Sequence, residues 1–379
     1  MELTIAPSFS VDDAVPPRRT PFLAYRDRIG APSELAFLRR QYIGFSRLEP
    51  VWTGRVLLPQ APRVGSRLLR LGGDGPLGSA HRLLFRHCGI APAIPIDGLA
   101  PVVHAQFARG GALALPLARA LNARLVVTLH GGDVGKDKNW SGTVLSRRWQ
   151  ATIEATQHFV CVSHSVAEVA ARRGVPEAKL IVLPIGVEVP DAPPPSPHLP
   201  SYHLFVGRFV EKKGIAVIAA AVRRRRAAGD TTKVVFVGDG PLRPVLEALA
   251  NDVPGIELAG WLPPDAVRAR MAGAWSLLVP SVIASNGDAE GLPSVVPEAM
   301  AQGCAVIGSD EGGIAEVIRH DATGLLVPPG DASALADAMR RVGDPALRNR
   351  LGQTGFRAAS AELNARIQSA KLEALLLGD

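Results

Sequence analysis

From residue 203 to residue 341, short β-rich runs alternate with helical stretches, and this rhythm narrows the possible folds more than any other feature of the chain. Strands are expected at His203–Val206, Val234–Val237, Ile256–Ala259, Ser276–Val279, Ala305–Ile307 and Gly324–Val327. Helical patterns fall between them, near Gly214–Arg226, Pro241–Asn251, Asp265–Ala272, Pro293–Gln302, Ile314–Arg319 and Ser333–Arg341. The apolar runs are short and do not alternate strictly with polar residues, as strands covered on both faces should read. Regular strand–helix alternation then implies an α/β fold built on a parallel sheet.

The first half keeps the rhythm less regularly. Strands are expected near Phe22–Tyr25, Arg55–Leu58, Val102–His104, Leu125–Leu129 and Phe159–Val162, and Ser163 is placed to cap a helix containing Glu168. Residues 59–100, rich in Gly, Pro and Arg, carry no readable pattern. The proline-dense run from Pro190 to Pro200 lacks the N–H donors that helices and sheets need, so it reads as a stiff linker. At 379 residues two domains are the natural expectation. They divide as residues 1–190, the linker 191–201, residues 202–355, and a helical segment 356–379 that packs back on the first domain. Two such domains enclose a cleft, where small ligands bind.

Composition excludes several classes. Hydrophobic residues make up 47 % and charged ones 20 %, which is globular. A formal charge of +7 fits an anionic partner, phosphate or an acidic membrane surface, but is small for a nucleic-acid binder of this length. The dense run Arg223 to Arg226 reads as the wet face or end of a helix. Met1–Ser10 shows no basic region leading into an apolar run, so no signal peptide is expected, and no 18 consecutive apolar residues are available to span a bilayer. Cys88, Cys161 and Cys304 match no metal spacing and sit among apolar neighbours, which points to buried free thiols in a reducing compartment.

The chemistry concentrates at two strand ends. Glu290-Gly-Leu-Pro-Ser-Val-Val-Pro-Glu298 follows one strand and enters a helix near Pro293. Glu290 falls in the loop. Glu298 lies among Val295, Val296, Ala299 and Met300, poor company for a surface acid. The backbone of Gly291, Leu292, Pro293 and Ser294 would then face outward at a helix start, which favours anions and polar ligands. The second site is the loop Gly207–Gly214, where Arg208 and Lys213 are placed to hold a diphosphate, although basic loop residues are common. The turn Gly238-Asp239-Gly240 is weaker still, because such turns occur in most α/β chains.

In this order the elements resemble the family-4 retaining glycosyltransferases. The likeness runs from Gly207 through Glu290, Glu298 and Gly312-Gly313-Ile314-Ala315-Glu316 to Asp331. Val103-His104-Ala105-Gln106-Phe107 and Val127-Thr-Leu-His130-Gly-Gly-Asp133 carry it into the first half, with a likeness to the bacterial exopolysaccharide and capsule branch. The chain departs at Pro32-Ser33-Glu34, where other members place a glycine-rich phosphate loop.

The resemblance implies a GT-B fold, two Rossmann-like domains facing across a cleft, with the first on the acceptor side and the second binding the nucleotide sugar. Arg208 and Lys213 would neutralise the donor diphosphate, Glu298 would bind the ribose, and Glu290 with the Gly291–Ser294 backbone would hold the sugar; Gly238 would line the nucleotide. His130 would reach the reacting centre from the other domain, against the plainer reading of a strand-end histidine bonding nearby backbone. His104 and Asp133 are open to either reading, with Asp133 placed near the acceptor.

The expected reaction is retaining transfer of a hexose-type sugar from a nucleotide-diphosphate sugar, with no other cofactor and no metal, to a saccharide or lipid-linked acceptor hydroxyl. A cytoplasmic protein with peripheral contact at the anionic inner membrane face is the matching expectation, and no nucleic-acid partner. The alternatives are glycosylation of a small natural product, a sugar-nucleotide epimerase, or a non-catalytic binding subunit.

Overall fold

The computed structural model describes residues 19–31, 35–65, 67–136, 143–194 and 202–379. Pro32-Ser33-Glu34 and the later part of the proline-dense run, from Pro195, lie outside the described residues.

The first half carries β1 (Thr20–Tyr25), β2 (Arg28–Ile29), β3 (Leu48–Gly54), β4 (Val56–Leu57), β5 (Leu68–Arg70), β6 (Val102–Gln106), β7 (Arg124–Leu129), β8 (Thr156–Cys161) and β9 (Leu180–Val182). The second carries β10 (Tyr202–Val206), β11 (Lys233–Val237), β12 (Ile256–Gly260), β13 (Ser276–Val279), β14 (Ala305–Ser309) and β15 (Leu325–Val327). Among the described residues they form two large sheets, ordered β5-β3-β1-β6-β7-β8-β9 and β12-β11-β10-β13-β14-β15, with β2 and β4 as a separate pair. Every pairing is parallel. Both sheets are doubly wound, and successive side chains enter opposite cores. Phe22 and Ala24 join one cluster while Leu23 and Tyr25 join another; Val234 and Phe236 are separated in the same way from Val235 and Val237.

Between the domains the chain crosses and returns side by side. The Val187 N–H donates to the Leu363 carbonyl at 2.8 Å, and the Ala365 N–H donates to the Val187 carbonyl at 2.8 Å. The return follows a helix, Pro345–Glu362, so position 356 falls inside a continuous element and the break comes at Leu363. Asn364 then caps the last helix, Ala365–Leu377. That helix lies on the first domain, where Leu372 and Leu376 join the core with Phe22 and Tyr42. Its Glu373 accepts the N–H groups of Ser46, Arg47 and Leu48 at 2.7–2.9 Å. Burial raises the Glu373 pKa, but these backbone donors outweigh it and hold the carboxyl below its ordinary value.

Several sequence expectations are corrected. The strand expected at Arg55–Leu58 is β3, Leu48–Gly54, with only Val56–Leu57 left for the minor pair; Glu49 and Pro50 break the β-rich run that Val51–Thr53 completes. The unreadable segment 59–100 holds β5 and a helix, Gly75–Cys88, capped at its end by Gly89 with φ +75°. The helical period is blurred because its outward face carries Leu77, Leu83 and Leu84. Cys88 is exposed at the end of this helix, whereas Cys161 and Cys304 are buried. The arginine run is not simply a wet face. Arg225 is buried against Asp230, Arg226 bonds the Thr232 and Pro254 carbonyls, and Arg223 pairs with Asp252.

His104 and His203 are fully buried, and burial pushes both down to about 3. Both fold in the neutral form, while the unfolded chain takes up a proton near its ordinary value of about 6.5. Unfolding therefore binds protons as the pH falls below that value, and stability falls with it, by about 1.4 kcal/mol per histidine per pH unit. Calorimetry between pH 7 and 4.5 should show the melting temperature dropping steadily below about pH 6.5. His203→Asn should flatten the slope; an unchanged melting temperature across the range contradicts the assignment.

Candidate functional site

Each sheet reverses its winding direction once, between β10 and β13 in the second domain and between β1 and β6 in the first. A crevice opens at the carboxyl ends of the strands at such a point. The loops that border it here are Gly207–Gly214 and the stretch after β13 on one side, and Phe107 and His130, following β6 and β7, on the other. The two crevices face each other. Between them lies a cleft of about 340 Å³ lined by Phe37, Phe107, His130, Lys213, Glu290 and Ser294.

The second-domain wall is a charge cluster. Glu290 Oε1 lies 3.1 Å from Lys212 Nζ and 3.2 Å from Lys213 Nζ. Asp288 pairs with Lys212 at 3.2 Å and, across the cleft, with Lys136 at 2.7 Å. Burial alone would raise the Glu290 carboxyl, but Lys213 and Lys212 outweigh it and keep Glu290 ionised. Burial likewise pulls on Lys212, and Glu290 with Asp288 reverses the effect, holding its ammonium above the ordinary lysine value. Within the second domain Lys212 and Lys213 balance Asp288 and Glu290, and Lys136 from the first domain brings the cluster to one net positive charge. Arg208, exposed on the same loop and without an ion pair among the described residues, adds a second. Gly238 is explained by packing: a Cβ there would meet the Gly207 carbonyl oxygen at 2.0 Å.

The first-domain wall is built on a polar network. Gln41 and Gln106 exchange two amide hydrogen bonds at 3.2 Å, and Gln106 Nε2 also donates to the Tyr42 hydroxyl at 3.0 Å. That leaves Gln106 Oε1 to accept from His130 Nε2 at 3.0 Å. The proton of His130 is thereby placed on Nε2, and Nδ1 is the acceptor. Burial pushes His130 down to about 3, with Arg26 and His104 adding to the shift, so its ring is neutral at physiological pH. Phe107 packs on it with ring centroids 4.3 Å apart, from a backbone at φ +70° that a bulky residue rarely adopts.

The walls meet backbone to backbone. A Cβ on Gly291 would lie 2.4 Å from the His130 carbonyl oxygen, and one on Gly131 would lie 2.8 Å from the Gly291 Cα. Two further contacts bridge the domains. Arg40 Nη2 bonds Glu298 Oε1 at 2.6 Å. Glu316 accepts the His164 and Ser165 N–H groups at 2.7 and 2.8 Å, satisfying the first turn of the helix His164–Arg172 that Ser163 caps at Val166.

The family model for glycosyl transferases group 1 matches residues 200–344, and that for Glycosyltransferase Family 4 matches residues 96–190. The chain is also 30 % identical over 288 residues, 71 % of its length and 73 % of the relative's, to a GDP-mannose-dependent alpha-(1-6)-phosphatidylinositol monomannoside mannosyltransferase of Mycobacterium tuberculosis. The chain belongs to the family-4 glycosyltransferases. It is 29 % identical over 249 residues to the amylovoran biosynthesis glycosyltransferase AmsK of Erwinia amylovora, and this match spans 62 % of the chain and 60 % of that relative's length. The crystal structure of Anabaena Alr3699/HepE in complex with UDP superposes with a TM-score of 0.74, 14 % identity, and coverage of 94 % of this chain and all of that one. The fold is GT-B.

Within this family-4 chain, the structure brings together His130, Lys213, Glu290, Leu292, Pro293 and Ser294 on the cleft. Arg208 is exposed on the Gly207–Gly214 loop and does not line the cleft, and Glu298 is held by Arg40 in a helix, Val295–Ala301, that starts two residues later than the proline predicts. His104 is a core residue, bonded to Tyr42 and Thr128 with no route to the cleft. Asp133 is engaged with backbone. Its carboxylate accepts the Ala108 and His130 N–H groups at 2.8 and 3.0 Å, tying the two cleft loops together; burial raises its pKa, only partly offset by these donors. Sequence reasoning missed Arg40, Lys136, Lys212, Asp288 and Phe37. Lys212 was adjacent to a named residue, but its direction along the 3-10 turn Glu211–Lys213 was not legible.

The network makes a direct prediction for His130. In ¹⁵N-histidine NMR its ring should stay neutral, protonated on Nε2, throughout pH 5–8, because its pKa is about 3. A titration midpoint between 6 and 7 assigned to His130 is incompatible with the site described. Gln106→Leu should release the tautomer.

Proposed function

We propose that this protein transfers a hexose-type sugar, with retention, from a nucleotide-diphosphate sugar to an acceptor hydroxyl in polysaccharide biosynthesis, the acceptor being lipid-linked or an oligosaccharide. The observation that carries the reading is the facing of the charge cluster Lys212, Lys213, Asp288 and Glu290, to whose loop Arg208 adds an exposed cation, by a neutral histidine fixed at Nε2. Polysaccharide relatives support it, among them AmsK, named for amylovoran biosynthesis, and the bound UDP in the HepE structure supports a nucleotide donor.

In this reading the C1–oxygen bond to the diphosphate breaks as the acceptor oxygen attacks C1 from the same face. The departing phosphate oxygen takes the acceptor proton. Charge grows on the leaving oxygen, so fixed cations there lower the barrier more than they stabilise the bound donor. One such pair at ~4 Å, with an effective dielectric of ~20, contributes roughly 4 kcal/mol before desolvation. Lys213 and Arg208 supply that stabilisation. Glu290, kept ionised by its lysines, receives sugar hydroxyl donors, and His130 Nδ1 accepts one from the first-domain side. Glu298 receives the ribose hydroxyls once Arg40 moves aside.

Purified protein should hydrolyse a nucleotide-diphosphate sugar slowly without acceptor and transfer its sugar when an acceptor is present. A thermal-shift screen of nucleotide sugars selects the donor. Interconversion of the nucleotide sugar without transfer indicates the epimerase instead, and binding without any turnover indicates a non-catalytic subunit. Lys213→Ala or Arg208→Ala should lower turnover by about 10²–10³-fold with the fold intact; wild-type rates in both remove the two cations from the mechanism.

Glu298 and Arg40 give a paired test. Glu298→Gln should weaken nucleoside diphosphate binding and raise the donor KM with little change in kcat. Arg40→Ala removes the competitor for the same carboxylate. An exchanged ion pair worth about 1 kcal/mol corresponds to roughly fivefold tighter nucleotide binding by calorimetry. Weaker binding in Arg40→Ala shows that Arg40 contacts the nucleotide itself.

A further inference from the structure

Five charged side chains alternate in sign across the cleft: Lys136, Asp288, Lys212, Glu290 and Lys213. Lys136 Nζ lies 2.7 Å from Asp288 Oδ2, and Lys212 Nζ lies 3.2 Å from Asp288 Oδ1. Lys212 Nζ also lies 3.1 Å from Glu290 Oε1, and Lys213 Nζ lies 3.2 Å from that same oxygen. Two neighbouring lysines therefore crowd one atom of one carboxylate. The function proposed above needs Lys213 on a diphosphate, whereas here it stands on Glu290. A cation can leave a largely buried carboxylate only if another stays, because an uncompensated charge there is strongly disfavoured. Burial indeed pulls Glu290 toward its protonated form, and the two lysines oppose it.

The lysines differ in what else holds them. Lys213 lines the cleft, and among the described residues Glu290 is its one ionic partner. Lys212 does not line the cleft. Its ammonium is tied to Asp288 as well as Glu290 and reaches the Ala289 carbonyl oxygen at 3.4 Å. Its own carbonyl accepts the Val282 N–H at 2.9 Å. Glu211, which begins the same 3-10 turn, accepts the Ser285 N–H at 3.0 Å and the Ser285 hydroxyl at 2.9 Å. Asp288 is fixed in turn, its N–H donating to Asn286 Oδ1 and its carbonyl accepting the Ala284 N–H, both at 2.9 Å. Lys136 holds its other carboxylate oxygen from the first domain. Lys212 is thus built into the contact between two loops, and Lys213 is not.

We infer that Lys212 is a positioning residue for the donor cation: it stays on Glu290 and Asp288 as their counter-ion, so that Lys213 is released from Glu290 to the diphosphate. This rests on the proposed function, in which Lys213 meets the diphosphate, and it adds a division of labour within the pair. No covalent bond changes. One ammonium group exchanges a carboxylate oxygen for phosphate oxygens, and Glu290 keeps one cation in place of two. In the absence of Lys212, Glu290 would retain Lys213, and an incoming diphosphate would have to draw it from a carboxylate with no other cation. Lys212 therefore strengthens donor binding without touching the donor, through the acid that it shares with Lys213.

The test titrates UDP, GDP and ADP calorimetrically into the full chain. Lys212→Met keeps the apolar stem and removes the charge. It should weaken binding of the nucleotide that the unaltered protein takes by about tenfold. Lys212→Arg, which keeps the charge, should bind close to the unaltered affinity. Beside Glu290→Gln, where no carboxylate retains Lys213, Lys212→Met should lose its effect; a purely structural defect would persist there. Carbon-13 glutamate NMR at neutral pH, recorded without nucleotide, gives an independent reading. Glu290 should be ionised in Lys213→Ala, held by Lys212 alone, and protonated when Lys212→Met is added. Unchanged affinity in Lys212→Met, an equal loss in Lys212→Arg, a loss that persists beside Glu290→Gln, or a protonated Glu290 in Lys213→Ala overturns the inference. If none of the nucleotides binds while Glu290 stays ionised in Lys213→Ala, Lys212 stands as its counter-ion and the result counts against the proposed function alone.

Discussion

The contact between Gly131 and Gly291 is the constraint on which the site depends. Two chains from different domains touch backbone to backbone there, with the His130 carbonyl against Gly291. Any Cβ at either position would enter space already filled, so the separation of the walls is set by the absence of side chains rather than by their complementarity. That distance puts the His130 ring and the Glu290–Lys213 pair on one small cleft. It also brings Asp288 within reach of Lys136, and Glu298 within reach of Arg40.

The cross-domain contacts differ in what they ask of a bound ligand. Glu316 at the helix His164–Arg172 engages backbone donors and lies on no cleft surface, so it can persist through turnover. Arg40–Glu298 occupies a carboxylate that the proposed donor needs, so it must exchange. The paired crossing at Val187 and Leu363–Ala365 joins the two passages of the chain by backbone hydrogen bonds. The last helix, anchored by Glu373 to the start of β3, belongs mechanically to the first domain although it ends the chain.

Much of the second domain was legible in the sequence. Its six strands start or end within a residue or two of their expected places, because doubly covered parallel strands leave short, uninterrupted apolar runs. The first domain was less so. Pro50 disguised β3, and the helix Gly75–Cys88 was unreadable since its apolar residues face both inward and outward. The helix start at Ser163 was legible from its capping side chain alone.

For the candidate site, motif order and the family resemblance named Glu290, Lys213 and His130, and the fold brings all three onto one cleft. Which partner each one has was decided only by tertiary structure. The charge on Glu290 depends on Lys212, the tautomer of His130 on Gln106, and the occupancy of Glu298 on Arg40, some 258 residues away. These are matters of distance and burial between segments remote in the chain. A linear pattern fixes local conformation and sidedness, but electrostatic state follows the neighbours that folding supplies.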